Sequence, residues 1–238
     1  MILVTSWDDG HPLDEHIAEL LTRYCVRGTF YVPVRNREGR PVMNADALRR
    51  LVLGGFEIGG HTLDHSYLTT IPPASMYEQL VEGKDRLEQT LGQRIDGFCY
   101  PGGEVNAAVR EAVRRAGFKH GRTTENLRLD RGADPYCVPT TLQFYPHTKR
   151  VLWGNFLRHG HYRARGQVLR LALAAVDWRD RVPRIAKALA STGVVLHLWG
   201  HSWEIEELDL WRALESTLEQ VATVTSQRLC VGELFARS

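Results

Sequence analysis

The sequence predicts an α/β protein folded as a single-domain distorted (β/α) barrel of about seven parallel strands, one domain spanning 1–238. Two observations lead there. Short apolar runs alternate with helix-period segments from Ile2 to Val221, and parallel neighbours need the crossover that such helices supply. The residues able to do chemistry each follow an apolar run: Asp8 and Asp9, His61 and His65, Tyr100 to Gly102, and His201. That is the carboxyl rim, where α/β folds gather their sites.

Taken in order, Ile2 to Ser6 reads as the first strand, followed by a helix capped by Asp14 with Ile17, Leu20 and Leu21 at helical spacing. GTFYVP, 28–33, is rich in aromatic and β-branched residues and reads as a strand. Asn44 caps ADALRRLVL, Gly54 and Gly55 end it, and Phe56 to Gly60 is the third strand. Ser75 to Leu91 is a long helix, Gly97 to Tyr100 a strand, Glu104 to Ala116 a helix and Phe118 to Arg122 a strand. From Thr123 to Tyr162 prolines and mixed polarity give no period. Helices return over Gln167 to Val176 and Arg181 to Ser191, a strand over Val194 to Trp199, and a helix over Glu206 to Val221.

With 43% hydrophobic and 24% charged residues the chain has the composition of a globule with a full core, which excludes disorder. A net charge of +2 gives no global case for nucleic acid. No run is long enough to cross a bilayer, and no basic, then apolar, leader opens the sequence. The scattered Cys25, Cys99, Cys137 and Cys230 form no CxxC pair and read as reduced thiols, so the expected location is cytoplasmic. Lys84, Lys119, Lys149 and Lys187 are the only lysines, so arginine carries most of the positive charge.

GGHTLDHSYL sets His61 and His65 four apart, which on a helical turn puts both imidazoles on one face, within reach of one metal ion. A carboxylate completes a facial set with open positions, the arrangement of a catalytic centre, and Asp9 is the obvious donor. Adjacent side chains leaving a strand diverge. One acid of the Asp8-Asp9 pair can therefore bind the metal while the other faces the metal-bound water, whose pKa such coordination lowers to about 7. A turn or cap is the simpler use of Asp-Asp-Gly.

These residues resemble the polysaccharide deacetylase family, the NodB-like carbohydrate esterases that include chitin and peptidoglycan deacetylases. SWDDG, GGHTLDH, GFCYPGG, VDW and VVLHLWGH follow the order of that family's five motifs along nearly the whole chain. The resemblance makes Asp8 the general base and Asp9, His61 and His65 the metal ligands. It puts a backbone N–H near Tyr100 at the oxyanion, with Pro101 and Gly102 beside the substrate, and Trp178 and Leu198 in the pocket wall. The fifth motif aligns two ways: His201, at the end of the apolar run, is preferred as the general acid, and His197, inside the run, is the alternative. Trp203 would stack on a sugar ring, and Glu204 would orient a histidine or cap the next helix. Cys99 stands where the family usually has the arginine that pairs with the base, so another group must hold Asp8.

The implied activity is removal of an N-acyl, chiefly N-acetyl, group from a sugar, with zinc as the default ion and Co2+, Ni2+ or Fe2+ compatible with the same ligands. The implied partner is an N-acylated sugar in a nucleotide- or lipid-linked precursor of a surface polysaccharide. Cations in His147 to Arg170, among them Arg158, Arg163 and Arg165, are expected either to hold its phosphate or acidic group or to form a solvated helical face. The alternatives are a deformylase or cyclic-imide hydrolase acting on a non-sugar substrate, and a catalytically silent sugar-binding module that keeps the metal.

Overall fold

The computed structural model describes residues 1–158 and 160–235. His159, inside the cationic segment, lies outside them. The chain runs β1 (Ile2–Trp7), α1 (Asp14–Arg23), β2 (Thr29–Val32), α2 (Ala45–Leu53), β3 (Glu57–Gly60), α3 (Pro73–Leu91), β4 (Gly97–Cys99), α4 (Ala107–Arg115) and β5 (His120–Arg122). It continues through β6 (Leu142–Gln143), α5 (Lys149–Arg158), α6 (Tyr162–Leu173), α7 (Arg181–Leu189), β7 (Val195–Gly200), α8 (Ser202–Glu207), α9 (Trp211–Ala222) and β8 (Gln227–Leu229).

All strand pairs are parallel, in the order β5-β4-β3-β2-β1-β7-β6. β8 lies off this path: it pairs Ile2–Val4 of β1, whereas β2 pairs Ser6 and Trp7. The sheet curls until its edges meet through residues 138–143. Val138 bridges Arg122, with its N–H on Gly121 O and its carbonyl accepting from Thr123 at 2.9 Å each, and the segment ends as β6 on β7. The outcome is the expected distorted barrel.

Side-chain alternation sets its contents. Outward-facing Leu3 and Trp7 of β1, Phe30 of β2 and Leu196 and Leu198 of β7 join Ile17, Leu21, Ile185 and Leu214 of the helices in the main core. Inward, Val4, Val138, Val195, Leu229 and Val231 fill the lower end. Above them Ser6 bonds His197, and above these again Asp8 meets Arg122. The interior thus changes from apolar to ionic toward the carboxyl rim, and this gradient positions the site.

Three local expectations are corrected. The aperiodic region contains α5, hidden because Leu152 is its only fully buried side chain, and α6 starts at Tyr162 rather than Gln167. The helix expected over Glu206 to Val221 is two, α8 and α9, separated where Asp209 takes a left-handed φ of 50°. Asp14 is the first residue of α1 and not its cap: Leu13 holds that position, and the Asp14 side chain turns elsewhere.

Gly59 faces inward, where a Cβ would stand 2.5 Å from the buried Tyr31 ring and 3.1 Å from Gly97 O. Gly59→Ala is expected to cost about 1–3 kcal/mol by overpacking, read as a lower urea midpoint at unchanged m-value.

Candidate functional site

Asp8 continues the β1 ladder, donating its N–H to Gly200 O at 3.1 Å, so its side chain keeps the inward direction. Asp9 then takes φ 75° and Gly10 φ 59°. The left-handed pair turns the chain sharply and swings the Asp9 carboxylate over the barrel mouth, at the strain such a φ imposes on a residue with a Cβ. Gly10 is required twice, since a Cβ there would also lie 2.7 Å from Val32 Cγ1.

His61 and His65 converge on Asp9, but not on a helical turn. Residues 61–65 form an irregular loop in which Thr62 and His65 both have φ 65°. The two Nε2 atoms lie 3.5 and 3.3 Å from Asp9 Oδ1. Each Nδ1 is occupied on the far side: His61 donates to Cys99 O at 2.8 Å, and His65 meets Glu38 Oε1 at 3.2 Å. Such outer partners fix the ring and tautomer of a metal-binding histidine. Gly83 of α3 lets the helix close on this loop, because a Cβ would approach Leu63 N to 2.9 Å.

The three side chains fit a divalent cation. Their donor atoms lie within 4.8 Å of one another, and Asp9 Oδ1 is buried with no hydrogen-bond partner. Burial opposes ionisation of Asp9, but the close His61 ring and the charges of His201, His61 and His65 together hold it below the usual carboxylate range. Burial likewise opposes the charge on His61, yet the groups around it raise its pKa. A cation would compete with that proton for the same nitrogen.

The group that holds Asp8 is Arg122. The guanidinium, fully buried at the end of β5, pairs with Asp8 Oδ1 and lies between the rings of Tyr31, 5.2 Å away, and Trp199, 4.9 Å away. Arg122 sits beside Cys99 in the sheet register, so an arginine absent from one strand is supplied by its neighbour at the same level. The Cys99 thiol is 3.8 Å from Asp8 Oδ2.

Across the mouth, His201 Nε2 lies 4.0 Å from Asp9 Oδ2, and its Nδ1 lies 2.7 Å from Glu204 Oε2. Burial lowers the His201 pKa, but the Glu204 bond and the charges of Asp9 and Asp8 outweigh it and raise the value. Glu204 also accepts from Gln143 Nε2 at 2.9 Å, so it orients the histidine and does not cap α8. His197 is a satisfied core residue: its Nδ1 meets Pro139 O at 3.0 Å and its Nε2 meets Ser6 Oγ at 2.9 Å. Burial holds its pKa down to about 3, with the charge of Arg122 adding to the effect.

Not every expected residue reaches the cleft, a cavity of about 480 Å3. Trp203 does, but its Nε1 donates to Asp9 Oδ2 at 2.9 Å and Arg40 covers the ring at 3.4 Å. Leu198 points outward into the core, as its register on β7 requires. Trp178 packs edge-on against Phe144 in a separate crevice. Tyr100 cannot offer its N–H, which is bonded to Arg122 O at 3.2 Å; Pro101 has none, and Gly103 N–H bonds Tyr100 O. Gly102, on the cleft wall, is left as the donor. Arg165 is buried and bonds the carbonyls of Asn126, Asn155, Phe156 and Gly160, so it fastens α5 and meets no substrate. Arg158 does line the cleft.

Sequence reasoning missed Glu38, which lies in a loop with no period, and Arg122, whose place at the end of a strand was the available signal. It also missed the use of Asp14, whose Oδ1 accepts from Ser202 Oγ at 2.5 Å. This buried bond ties the start of α1 to the start of α8, beside His201 and Trp203. Burial raises the Asp14 pKa well above its usual value; the Ser202 bond opposes this, and the nearby charges of Asp9 and Asp8 add to it.

A family model described as polysaccharide deacetylase matches residues 2–121. The chain belongs to that family. It is 26% identical over 120 residues to the peptidoglycan-N-acetylglucosamine deacetylase of Bacillus cereus, covering 50% of this chain and 54% of that protein. It is 29% identical over 109 residues, 45% of this chain and 32% of the other, to the uncharacterized protein YlxY of Bacillus subtilis. The chain thus matches about half, or less, of these relatives' length. The fold is that of a family 4 acetyl xylan esterase from Clostridium thermocellum in complex with a cobalt ion, at a TM-score of 0.63 and 16% identity over 100% of this chain and 91% of that one. The chitin deacetylase of Colletotrichum lindemuthianum gives 0.61 and 17% over 98% and 86%.

Removing Arg122 strands a buried carboxylate. Arg122→Leu is expected to cost about 3–5 kcal/mol, and much less in an Asp8→Asn background, as a double-mutant cycle by denaturant unfolding will measure. Folded Asp14 holds its proton to a higher pH than an unfolded Asp14, which ionises near 3.8. Its contribution is therefore complete below that pH and declines as pH rises toward the folded value. Asp14→Asn should stabilise the protein at pH 7 and leave it unchanged at pH 3, measured by thermal melting at both.

Proposed function

We propose that the chain is a metal-dependent hydrolase that removes an N-acetyl group from a sugar of a glycan. The observation that carries this is the placement of Asp9, His61 and His65 within reach of one cation, with Asp8 on one side and His201 on the other. A divalent cation bound by these three supplies Lewis acidity toward the acyl oxygen and acidifies water, and zinc, cobalt, nickel and iron all suit the ligands.

The chain's own residues supply the remaining steps. Asp8, fixed by Arg122, accepts the proton of the attacking water. Gly102 N–H donates to the oxygen on which negative charge develops. His201, protonated more readily than a free imidazole, gives its proton to the leaving amine, and Glu204 keeps the ring in position. Trp203 steadies the Asp9 ligand. The wall of Asn126, Gln143 and Asn155 suits a substrate rich in hydroxyls, which favours a sugar over a bare amide. We assign Arg158 on the same wall to an acidic substituent, such as the phosphate of a linked precursor. A silent binding module would have no use for the buried Asp8–Arg122 pair or for an oriented His201.

Asp8→Asn should retain bound metal by elemental analysis and lower acetate release from N-acetylated oligosaccharides about 10²–10⁴-fold. Full turnover by this variant would overturn the assigned base.

A further inference from the structure

From 135 to 176 the chain carries six Lys and Arg and not one Asp or Glu, in a protein whose net charge is only +2. Arg165 is consumed internally, but Lys149, Arg150, Arg158, Arg163 and Arg170 are exposed. None of them pairs with a carboxylate among the described residues. The same segment is unusually apolar on its outside. Of eight large hydrophobic side chains exposed among the described residues, α5 and α6 carry four: Val151 at 39%, Trp153 at 49%, Leu157 at 62% and Tyr162 at 53%.

Helical geometry arranges these groups. Trp153 and Leu157, four apart, form one outward row, and Lys149 extends it by one turn. Arg150 lies along its side. Trp153 and Tyr162 both contact the half-buried Phe156, with ring centroids 5.9 and 5.1 Å away, so the aromatic group is held rigidly. Leu152 anchors the opposite face in the core.

We propose that α5 and the start of α6 form a docking face for an anionic lipid bilayer. Unpaired cations beside an exposed tryptophan and aliphatic side chains are the chemistry of a helix lying in a membrane interface: the cations meet phosphate headgroups and the apolar row enters the acyl boundary. A purely ionic partner such as nucleic acid would leave Trp153 and Leu157 without a role. Among the described residues no helix is long and apolar enough to cross a membrane, and α5 is proposed to lie along the surface. Val151, Asn155 and Arg158 lie on the face of α5 turned away from this row, at about 100° per residue, and line the cleft.

Co-sedimentation of the whole chain with vesicles tests this without any substrate, so its outcome does not depend on the proposed reaction. Vesicles of phosphatidylcholine containing phosphatidylglycerol should carry the protein down, and vesicles of phosphatidylcholine alone should not. Added salt should release it. Trp153→Ser combined with Leu157→Ser should lower the partition coefficient about tenfold. Lys149→Gln and Arg150→Gln should each lower it about fivefold. The proposal is overturned if the wild type ignores anionic vesicles or binds neutral ones equally, or if the Trp153/Leu157 variant partitions unchanged. It is equally overturned if that variant converts a lipid-free oligomer to monomer in sedimentation velocity, since a second copy would then be what covers the face.

Discussion

The site depends on one buried ion pair. Arg122 and Asp8 meet inside the barrel just below its mouth, both buried, and the guanidinium is held between Tyr31 and Trp199. Desolvating two charges is costly, and only close pairing and packing offset it. The contact therefore fixes the Asp8 side chain in one orientation. Everything above it is built on that orientation: Asp9 can turn outward because Asp8 points inward, and the histidines then close on Asp9 from the neighbouring loop.

A second consequence of the same pair is a division of labour between strands and loops. The strands hold Asp8 and Arg122, in the part of the barrel where backbone ladders restrict motion. Asp9, His61, His65 and His201 sit on loops, each fastened by a contact of its own. Cys99 O holds His61, Glu38 holds His65, Glu204 holds His201, and Trp203 holds Asp9. The Asp14–Ser202 bond links the starts of α1 and α8 beneath the surface. Backbone strain at Asp9, Thr62 and His65 is concentrated where these contacts over-determine the conformation.

Much of this was legible in the order of residues, for a physical reason. Strand and helix periodicity are local, so the barrel, its first five strands and α1 to α4 could be read from runs such as Thr29–Val32 and Ala45–Leu53. Asp8, Asp9, His61, His65 and His201 could be placed on one rim because a parallel sheet puts all strand ends on the same side. What failed was non-local or unpatterned. Arg122 supports Asp8 across 114 positions of sequence, and no spacing rule connects them. The histidine pair was found, but its loop was mistaken for a helical turn, since i,i+4 spacing says nothing of the left-handed residues between. Leu198 was misplaced by one step of the strand alternation, and α5 escaped because its exposed apolar face erased the amphipathic signal.

The shared edge of β1 has a consequence for how the molecule assembles. Its first half pairs β8, near residue 228, and its second half pairs β2, near residue 30. The earliest strand is thus completed only by the latest one, and the opposite edge by β7. Contacts of such sequence separation must pay their loop-closure entropy before they return any stabilisation, which makes barrel closure a slow step. Until residues 227–229 arrive, half of one β1 edge presents unpaired backbone, and the inward apolar cluster of Val4, Val138 and Val195 lacks Leu229 and Val231. The nascent chain is therefore most prone to mispairing at the strand that leads into Asp8 and Asp9.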